Sequence, residues 1–195
     1  MHSPDRIARA IVDAGCLTEK MGEEYVNLDA LWFSPATLKA FSNSLTDYLL
    51  ACQKKVENTE LTFTRILLPV KVYGAFGAIP LFMHSCVEAG IPFAVWKEWA
   101  EPATGRSRIY GKISLGDRLL IAHDVINYGA TPVKIIEHLS RLSAERDFQV
   151  VGVLAIVDRQ HNGVTFIEKE TGKRVKAICT WTDLIETAHG HGRRE

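Results

Sequence analysis

The chain has 195 residues, of which 47% are hydrophobic and 24% are charged. This composition is that of a globular protein large enough to bury a substantial core, which excludes fibrous, disordered and coiled-coil classes. The 23 basic and 23 acidic residues give a formal net charge of zero, which argues against binding nucleic acid or an anionic membrane through bulk charge.

The first third of the chain predicts two helices, each opened by a Ser-Pro pair. The first covers residues 3–14, with Ser3 as its N-cap and Gly15 as its stop. The second covers residues 34–52, where apolar residues recur at helical spacing and form one face. A short polar linker, residues 57–60, follows.

From residue 63 onwards, short apolar strands alternate with helices. The predicted strands cover residues 63–70, 92–96, 118–122, 150–157, 164–167 and 174–180. A weaker alternation suggests an antiparallel partner at residues 108–113. The predicted helices cover residues 78–89, 132–146 and 181–188. This alternation predicts right-handed crossovers and an α/β fold with a doubly wound parallel sheet.

We predict one domain over residues 1–188. Its N-terminal segment, about residues 1–60, and a C-terminal strand pair are expected to form a small hood over the ligand site. The histidine-rich residues 189–195 are predicted to be a flexible tail.

Cysteine usage and hydropathy favour a cytoplasmic protein without a membrane segment. The four cysteines form no C-x-x-C pair, so we interpret them as small buried residues in a reducing compartment. The longest uncharged run, residues 72–87, is too short to span a membrane and contains glycine and proline. Charged residues near the N-terminus leave no apolar signal core.

The segment after the strand at residues 118–122 is the most informative. Ligands of doubly wound sheets bind beyond the carboxyl ends of the strands. Here small and polar residues lie between a strand and a helix, which leaves main-chain N–H groups directed at one spot beside a helix N-terminus. We predict a phosphate cradle formed by Asn127, Tyr128, Gly129, Ala130 and Thr131. The alternative is a plain turn with Asp124 as a cap.

Five segments in order resemble the type I phosphoribosyltransferases, most closely the orotate branch. The motif for phosphoribosyl pyrophosphate (PRPP) is similar to Leu119-Leu120-Ile121-Ala122, Asp124, Val125-Ile126, Gly129 and Thr131. The branch also carries Val-Asp-Arg-Gln, which stands here at residues 157–160. The other matching segments are residues 28–50, 74–81 and 180–185.

This resemblance implies transfer of ribose 5-phosphate from PRPP to a pyrimidine-like base such as orotate. Asp124 would stabilise positive charge on the sugar and, with His123, hold the ribose hydroxyls. Residues 127–131 would bind the 5-phosphate, and Arg159 would bind the base. Lys97 would act catalytically at the pyrophosphate, whose binding residues would be Lys71, Phe76, Gly77 and Arg106.

The resemblance also implies a cofactor and a partner. Mg²⁺ would be bound mainly through PRPP rather than by a dedicated set of protein ligands. A homodimer is expected, because the family builds its site with a loop of the neighbouring subunit. Trp96 and Trp99, on either side of Lys97, would stack on a base or pack against a neighbour.

Three positions depart from the family pattern. The first acid of the PRPP motif is His123, and a lysine and a histidine of the mobile loop are replaced by Ala100 and Pro102. Cations at the departing pyrophosphate lower the barrier, and losing one such donor costs about 10²–10³ in rate. Arg106 and Arg108 either compensate for this loss or are ordinary exposed residues.

These departures leave two alternatives open. One is a weakened or inactive phosphoribosyltransferase-fold protein that binds a nucleotide or a partner as a regulator. The other is a transferase that acts on a base other than orotate. Other enzyme classes fit less well, because the chain lacks a full G-x-G-x-x-G, a Gly-Lys-Ser/Thr phosphate loop and a G-x-S-x-G elbow.

Overall fold

A computed structural model of the chain describes residues 3–20, 23–54, 61–70, 77–97 and 109–191. The N-terminal part contains two antiparallel strands that pair as a hairpin, with three helices around them. These elements are α1 (Ser3–Asp13), β1 (Leu17–Lys20), β2 (Glu23–Val26), α2 (Ala30–Phe33) and α3 (Pro35–Lys54). The two predicted helices are confirmed as α1 and α3, whereas the hairpin was not predicted.

The remaining strands and helices follow the predicted order except at residues 164–167. In chain order they are β3 (Arg65–Val70), α4 (Ile79–Ala89), β4 (Phe93–Lys97), β5 (Ile109–Tyr110), β6 (Arg118–Ile126), α5 (Ala130–Arg146), β7 (Gln149–Asp158), α6 (Gly163–Thr171), β8 (Arg174–Thr180) and α7 (Trp181–His191).

Six of these strands form one sheet in the order β5-β4-β3-β6-β7-β8. All neighbours are parallel except β4 and β5, which pair antiparallel as expected. From β3 the chain passes to β4 and then to β5 at one edge of the sheet. It returns to β6, which lies beside β3, and continues through β7 to β8 at the other edge. The predicted doubly wound α/β sheet is therefore confirmed, and its strand order switches between β3 and β6.

Two apolar layers hold the sheet between helices. One face packs against α1, α3, α4 and α7, with Phe41, Leu45 and Phe82 fully buried there. The other packs against α5 and α6 through residues such as Ile135, Leu139 and Ile167. Because both faces are covered, β7 is apolar along nearly its whole length.

The interpretation of residues 164–167 as a strand is wrong. They lie in helix α6, which runs between the left-handed residues Asn162 and Gly172. Strands β7 and β8 are parallel neighbours, so their connection must cross over, and a helix performs that crossing. Among the described residues the predicted C-terminal strand pair does not form, because residues 164–167 are helical, and the end of the hairpin β1-β2 contributes to the cavity instead.

Among the boundaries that differ from the prediction, the ends of β6 and α7 differ most in extent or consequence. Strand β6 was expected to end at Ala122, but it continues to Ile126 because the long strand β7 supplies pairing partners up to Asp158. His123 and Asp124 are therefore strand residues rather than loop residues. Helix α7 continues to His191, three residues into the predicted tail.

Three of the four cysteines and Trp96 are buried in the core. Cys16, Cys86 and Cys179 are buried and Cys52 is half-buried; all four are free thiols. Burial raises the pKa of the three buried thiols to about 12. Trp96 is also buried and packs edge-on against His138, which favours packing over stacking on a base. In the described part of the chain, no helix is long and apolar enough to cross a membrane.

Candidate active site

A cavity of about 210 Å³ opens where the strand order switches between β3 and β6. The hairpin end, residues 25–29, forms one wall. The opposite wall comes from the ends of the parallel strands and from the segments that follow them, through Gly77, Asp124, Val125, Asn127 and Arg159. Four of the predicted site residues, at positions 77, 124, 127 and 159, therefore meet at one cavity.

Asp124 projects from the end of β6 against the glycine that precedes α4. Its Oδ1 atom accepts a hydrogen bond from the Val125 N–H at 2.8 Å. Gly77 has a φ of 57°, and a Cβ atom built there would meet Asp124 Oδ2 at 2.6 Å. The absence of a side chain at residue 77 therefore allows the carboxylate to occupy this wall of the cavity.

His123 lies beside this carboxylate but is more deeply buried. Its side chain is 6% exposed, against 22% for Asp124, and its Nδ1 atom is 2.8 Å from Asp124 Oδ1. The angles are not those of a hydrogen bond, and neither ring nitrogen has a hydrogen-bond partner among the described residues. A small rotation of the imidazole ring would bring the two groups into a hydrogen bond.

The predicted phosphate cradle covers the loop between β6 and α5, residues 127–129, and the first two residues of α5, Ala130 and Thr131. Gly129 adopts a left-handed φ of 80° and is the N-cap of α5, which has no side-chain cap. Within the described residues, the main-chain N–H groups of residues 127–131 donate no hydrogen bond. Tyr128 is 67% exposed and its ring lies 5.6 Å from that of His161. Exposed in this way, the ring leaves the cradle open.

The absence of side chains at Gly129 and Gly163 allows this cradle to pack closely against the start of α6. A Cβ atom at Gly129 would meet the Gly163 carbonyl oxygen at 2.7 Å, and one at Gly163 would meet the Asn127 carbonyl oxygen at 2.3 Å. The Arg159 N–H also donates to the Ile126 carbonyl at 2.9 Å. The segments that follow β6 and β7 therefore hold each other in position.

Asp29 is a cavity residue that the sequence interpretation missed. Burial raises the pKa of its carboxyl, and the nearby charge of Asp124 adds to this, while the Trp32 side chain and the Gly77 N–H act in the opposite direction. The two carboxyl groups therefore share one electrostatic environment. The only available signal was the position of Asp29 just after a hydrophobic strand, which does not distinguish it from an ordinary helix cap.

The residues expected to face pyrophosphate are not all brought together. Lys97 Nζ donates to the hydroxyl of Tyr110 and lies 3.8 Å from the centre of its ring; it is not among the residues that line the cavity. Gly77 does line it. The other predicted residues lie outside the described part of the chain, namely Lys71, Phe76, Trp99, Ala100, Pro102, Arg106 and Arg108.

The sequence and the fold are similar to those of known phosphoribosyltransferases. Orotate phosphoribosyltransferase of Pyrococcus abyssi is 28% identical over 94% of this chain and 96% of that protein. Among solved structures, Leishmania donovani UMP synthase superposes with a TM-score of 0.70 at 23% identity, covering 96% of this chain, which spans 38% of that one. Mycobacterium tuberculosis orotate phosphoribosyltransferase, solved with PRPP, gives 0.63 at 20% identity and covers 93% of this chain and 92% of its own.

No protein-family model matches the sequence. The resemblance drawn from the five motifs is nevertheless confirmed by these relatives, and the fold is that of the type I phosphoribosyltransferases.

Proposed function

We propose that this chain, which has the type I phosphoribosyltransferase fold, transfers ribose 5-phosphate from PRPP to a pyrimidine-like base such as orotate. The observation that carries this proposal is the position of Asp124 beside an uncapped helix N-terminus in the cavity at the strand switch. The relatives named above support it, since those matched over most of the chain transfer phosphoribosyl groups to orotate by name.

The cradle is suited to the 5-phosphate. Main-chain N–H groups at residues 127–131 are available as donors, and the start of α5 adds about half a positive charge. Asn127 adds a side-chain amide, and Thr131 adds a hydroxyl, both of which can donate to phosphate oxygens. A phosphate seated here places the ribose ring next to Asp124.

Asp124 acts at the ribose. When the C1–O bond breaks, pyrophosphate leaves with the bonding electrons and positive charge develops on the sugar; a base nitrogen then forms the C1–N bond and releases its proton. A fixed carboxylate lowers the free energy of this cationic state more than that of the neutral sugar. The same oxygens accept hydrogen bonds from the ribose hydroxyls. His123, which the resemblance assigns to the ribose, is buried and is not among the residues that line the cavity, so we assign the ribose hydroxyls to Asp124.

The oxygen donors of the cavity fit a hard divalent cation. Asp124 and Asp29 offer carboxylate oxygens, which Mg²⁺ prefers. No group of three or more metal-binding side chains occurs among the described residues, a pattern suited to a cation whose other ligands come from PRPP and water. When bound, Mg²⁺ neutralises charge on the leaving pyrophosphate. By resemblance to the family, we assign Lys97, Lys71, Phe76, Gly77 and Arg106 to pyrophosphate binding; of these, Gly77 lines the cavity.

The test is a direct assay of the purified chain with PRPP, Mg²⁺ and a panel of bases, following pyrophosphate release. Loss of the orotate absorbance and formation of its nucleotide are expected. A second candidate is a PRPP-binding protein with little turnover, favoured by the buried His123 in place of an acid. PRPP binding without turnover on any base would support that candidate and contradict the transferase.

We further propose a cytoplasmic homodimer. The support is the resemblance to a family that builds its site with a loop of the neighbouring subunit. Light scattering at micromolar concentration is expected to give twice the 21.8 kDa mass of the chain. A monomer under these conditions would contradict the dimer.

A further inference from the structure

Arg159 reaches the cavity from the segment after β7, and its guanidinium lies over an aromatic ring of α7. The central carbon of the guanidinium is 4.4 Å from the centre of the Trp181 ring. Such a cation–π contact attracts the guanidinium to the ring and restricts where it can lie.

The main chain on both sides of this contact is held by a set of hydrogen bonds. Gln160 Oε1 accepts from the N–H of Thr182 at 3.0 Å and from its hydroxyl at 2.8 Å. The Gln160 N–H donates to Asp158 Oδ1 at 2.8 Å. Asp183 Oδ2 accepts from the N–H and hydroxyl of Thr180 at 2.7 and 2.8 Å. The turn that carries Arg159 is therefore attached to the helix start that carries Trp181.

The Arg159 guanidinium is available to bind an anion. Arg159 Nε is buried and has no hydrogen-bond partner among the described residues. No carboxylate forms an ion pair with it in that part of the chain. A guanidinium at a cavity wall without a carboxylate partner can form charge-assisted bonds with a planar carboxylate on a ligand.

From these contacts we propose that Trp181 is a positioning residue: it holds Arg159 in the orientation that pairs with a carboxylate carried by the base. This inference rests on the proposed function and adds a determinant of base specificity to it. Trp181 acts through Arg159 and does not contact the reacting atoms. Its position at the first residue of α7, packed at the edge of the core, makes the stacking surface rigid.

The experiment compares wild type with Trp181→Leu and Trp181→Phe, and uses Phe166→Leu on the exposed side of α6 as the matched control. KM is measured separately for orotate and PRPP. Because a cation–π contact contributes about 1 kcal/mol, Trp181→Leu is expected to raise the KM for orotate about fivefold. The KM for PRPP is expected to stay within about twofold, Trp181→Phe to recover most of the loss, and the control to match wild type.

Binding of the product nucleotide, orotidine 5-phosphate, is measured by calorimetry on the same proteins. If wild type binds it but turns over no base, the proposed transferase fails, and the affinities of the Trp181 variants still decide the role of Trp181. Equal binding by wild type and Trp181→Leu would overturn the positioning role, as would a parallel rise in both KM values or equal losses for the Leu and Phe variants. Failure of wild type to bind the nucleotide would overturn both proposals.

Discussion

Gly77 and Asp124 are packed so closely that a methyl group at residue 77 would lie 2.6 Å from a carboxylate oxygen. One residue precedes α4 and the other ends β6, so this contact joins the two strands between which the sheet order switches. The glycine thereby sets the position of the one carboxylate that the proposed reaction depends on.

Replacing this glycine with alanine tests that relationship. Gly77→Ala is expected to displace Asp124 and to lower kcat/KM for PRPP by about tenfold or more, because catalysis depends on placement within a fraction of an ångström. Gly172→Ala is the matched control, since its φ of 64° is similar but nothing lies within 4 Å of its Cβ position. Both variants should lose about 1 kcal/mol of stability from the left-handed backbone. Similar kinetic losses in the two variants would contradict a special role for Gly77.

Removing the charge of Asp124 tests its role directly. Asp124→Asn keeps the size of the side chain and its bond from the Val125 N–H, but it no longer stabilises positive charge on the sugar. We expect kcat to fall by about 10²–10³, comparable to the loss of one electrostatic contact at a transition state. Steady-state kinetics with saturating PRPP measure this. Unchanged turnover would remove Asp124 from the proposed mechanism.

Asp117 provides a test of stability away from the cavity. Its carboxylate pairs with Arg65 Nε at 2.8 Å, and both side chains are largely buried. Burial opposes ionisation, but the Ser114 N–H, Arg65 and Thr64 together hold the pKa of this carboxyl below its ordinary value of 3.8. Asp117→Asn should cost about 2 kcal/mol at neutral pH, the size of a hydrogen bond to a charged group.

The stability that Asp117 contributes is expected to decrease as the pH falls. Because the folded pKa is lowered, the contribution of Asp117 is complete above the unfolded value and is lost as pH falls through the folded value. Urea unfolding of wild type and Asp117→Asn at pH 7 and pH 3 is therefore expected to show a smaller difference at pH 3. The KM for PRPP should be unaffected, and a change in it would show that the substitution reaches the site.

Asp29 is expected to behave in the opposite way. The pKa of its carboxyl is raised by burial and by Asp124, so the folded state holds its proton more tightly, and ionisation destabilises the fold as pH rises above the ordinary value. Asp29→Asn should therefore stabilise the protein at pH 7, by less than about 1 kcal/mol. Chemical denaturation should show this gain disappearing near pH 3. A loss of stability at pH 7 would contradict the proximity of the two carboxyl groups.

Local patterns in the chain determined most of the fold and part of the site. The helical spacing in residues 34–52 and the unbroken apolar run of β7 identify a helix and a covered strand, because each pattern reflects which side of the element is buried. The glycine and small residues at 127–131 identify a loop that frees main-chain donors. Residues 164–167 misled the interpretation, because four β-branched and aromatic residues fit a strand and a helix alike.

What the sequence by itself determined was most of the strands and helices, the doubly wound fold class and the loop beside Asp124, all of which follow from residues close together in the chain. The structure located the strand switch between β3 and β6. Only the tertiary structure decided that Asp29, nearly a hundred residues away, shares the cavity of Asp124, and that Trp181 lies under Arg159. Such contacts depend on how separate elements pack, and no local periodicity records the packing of side chains that meet only when the sheet and its helices are assembled.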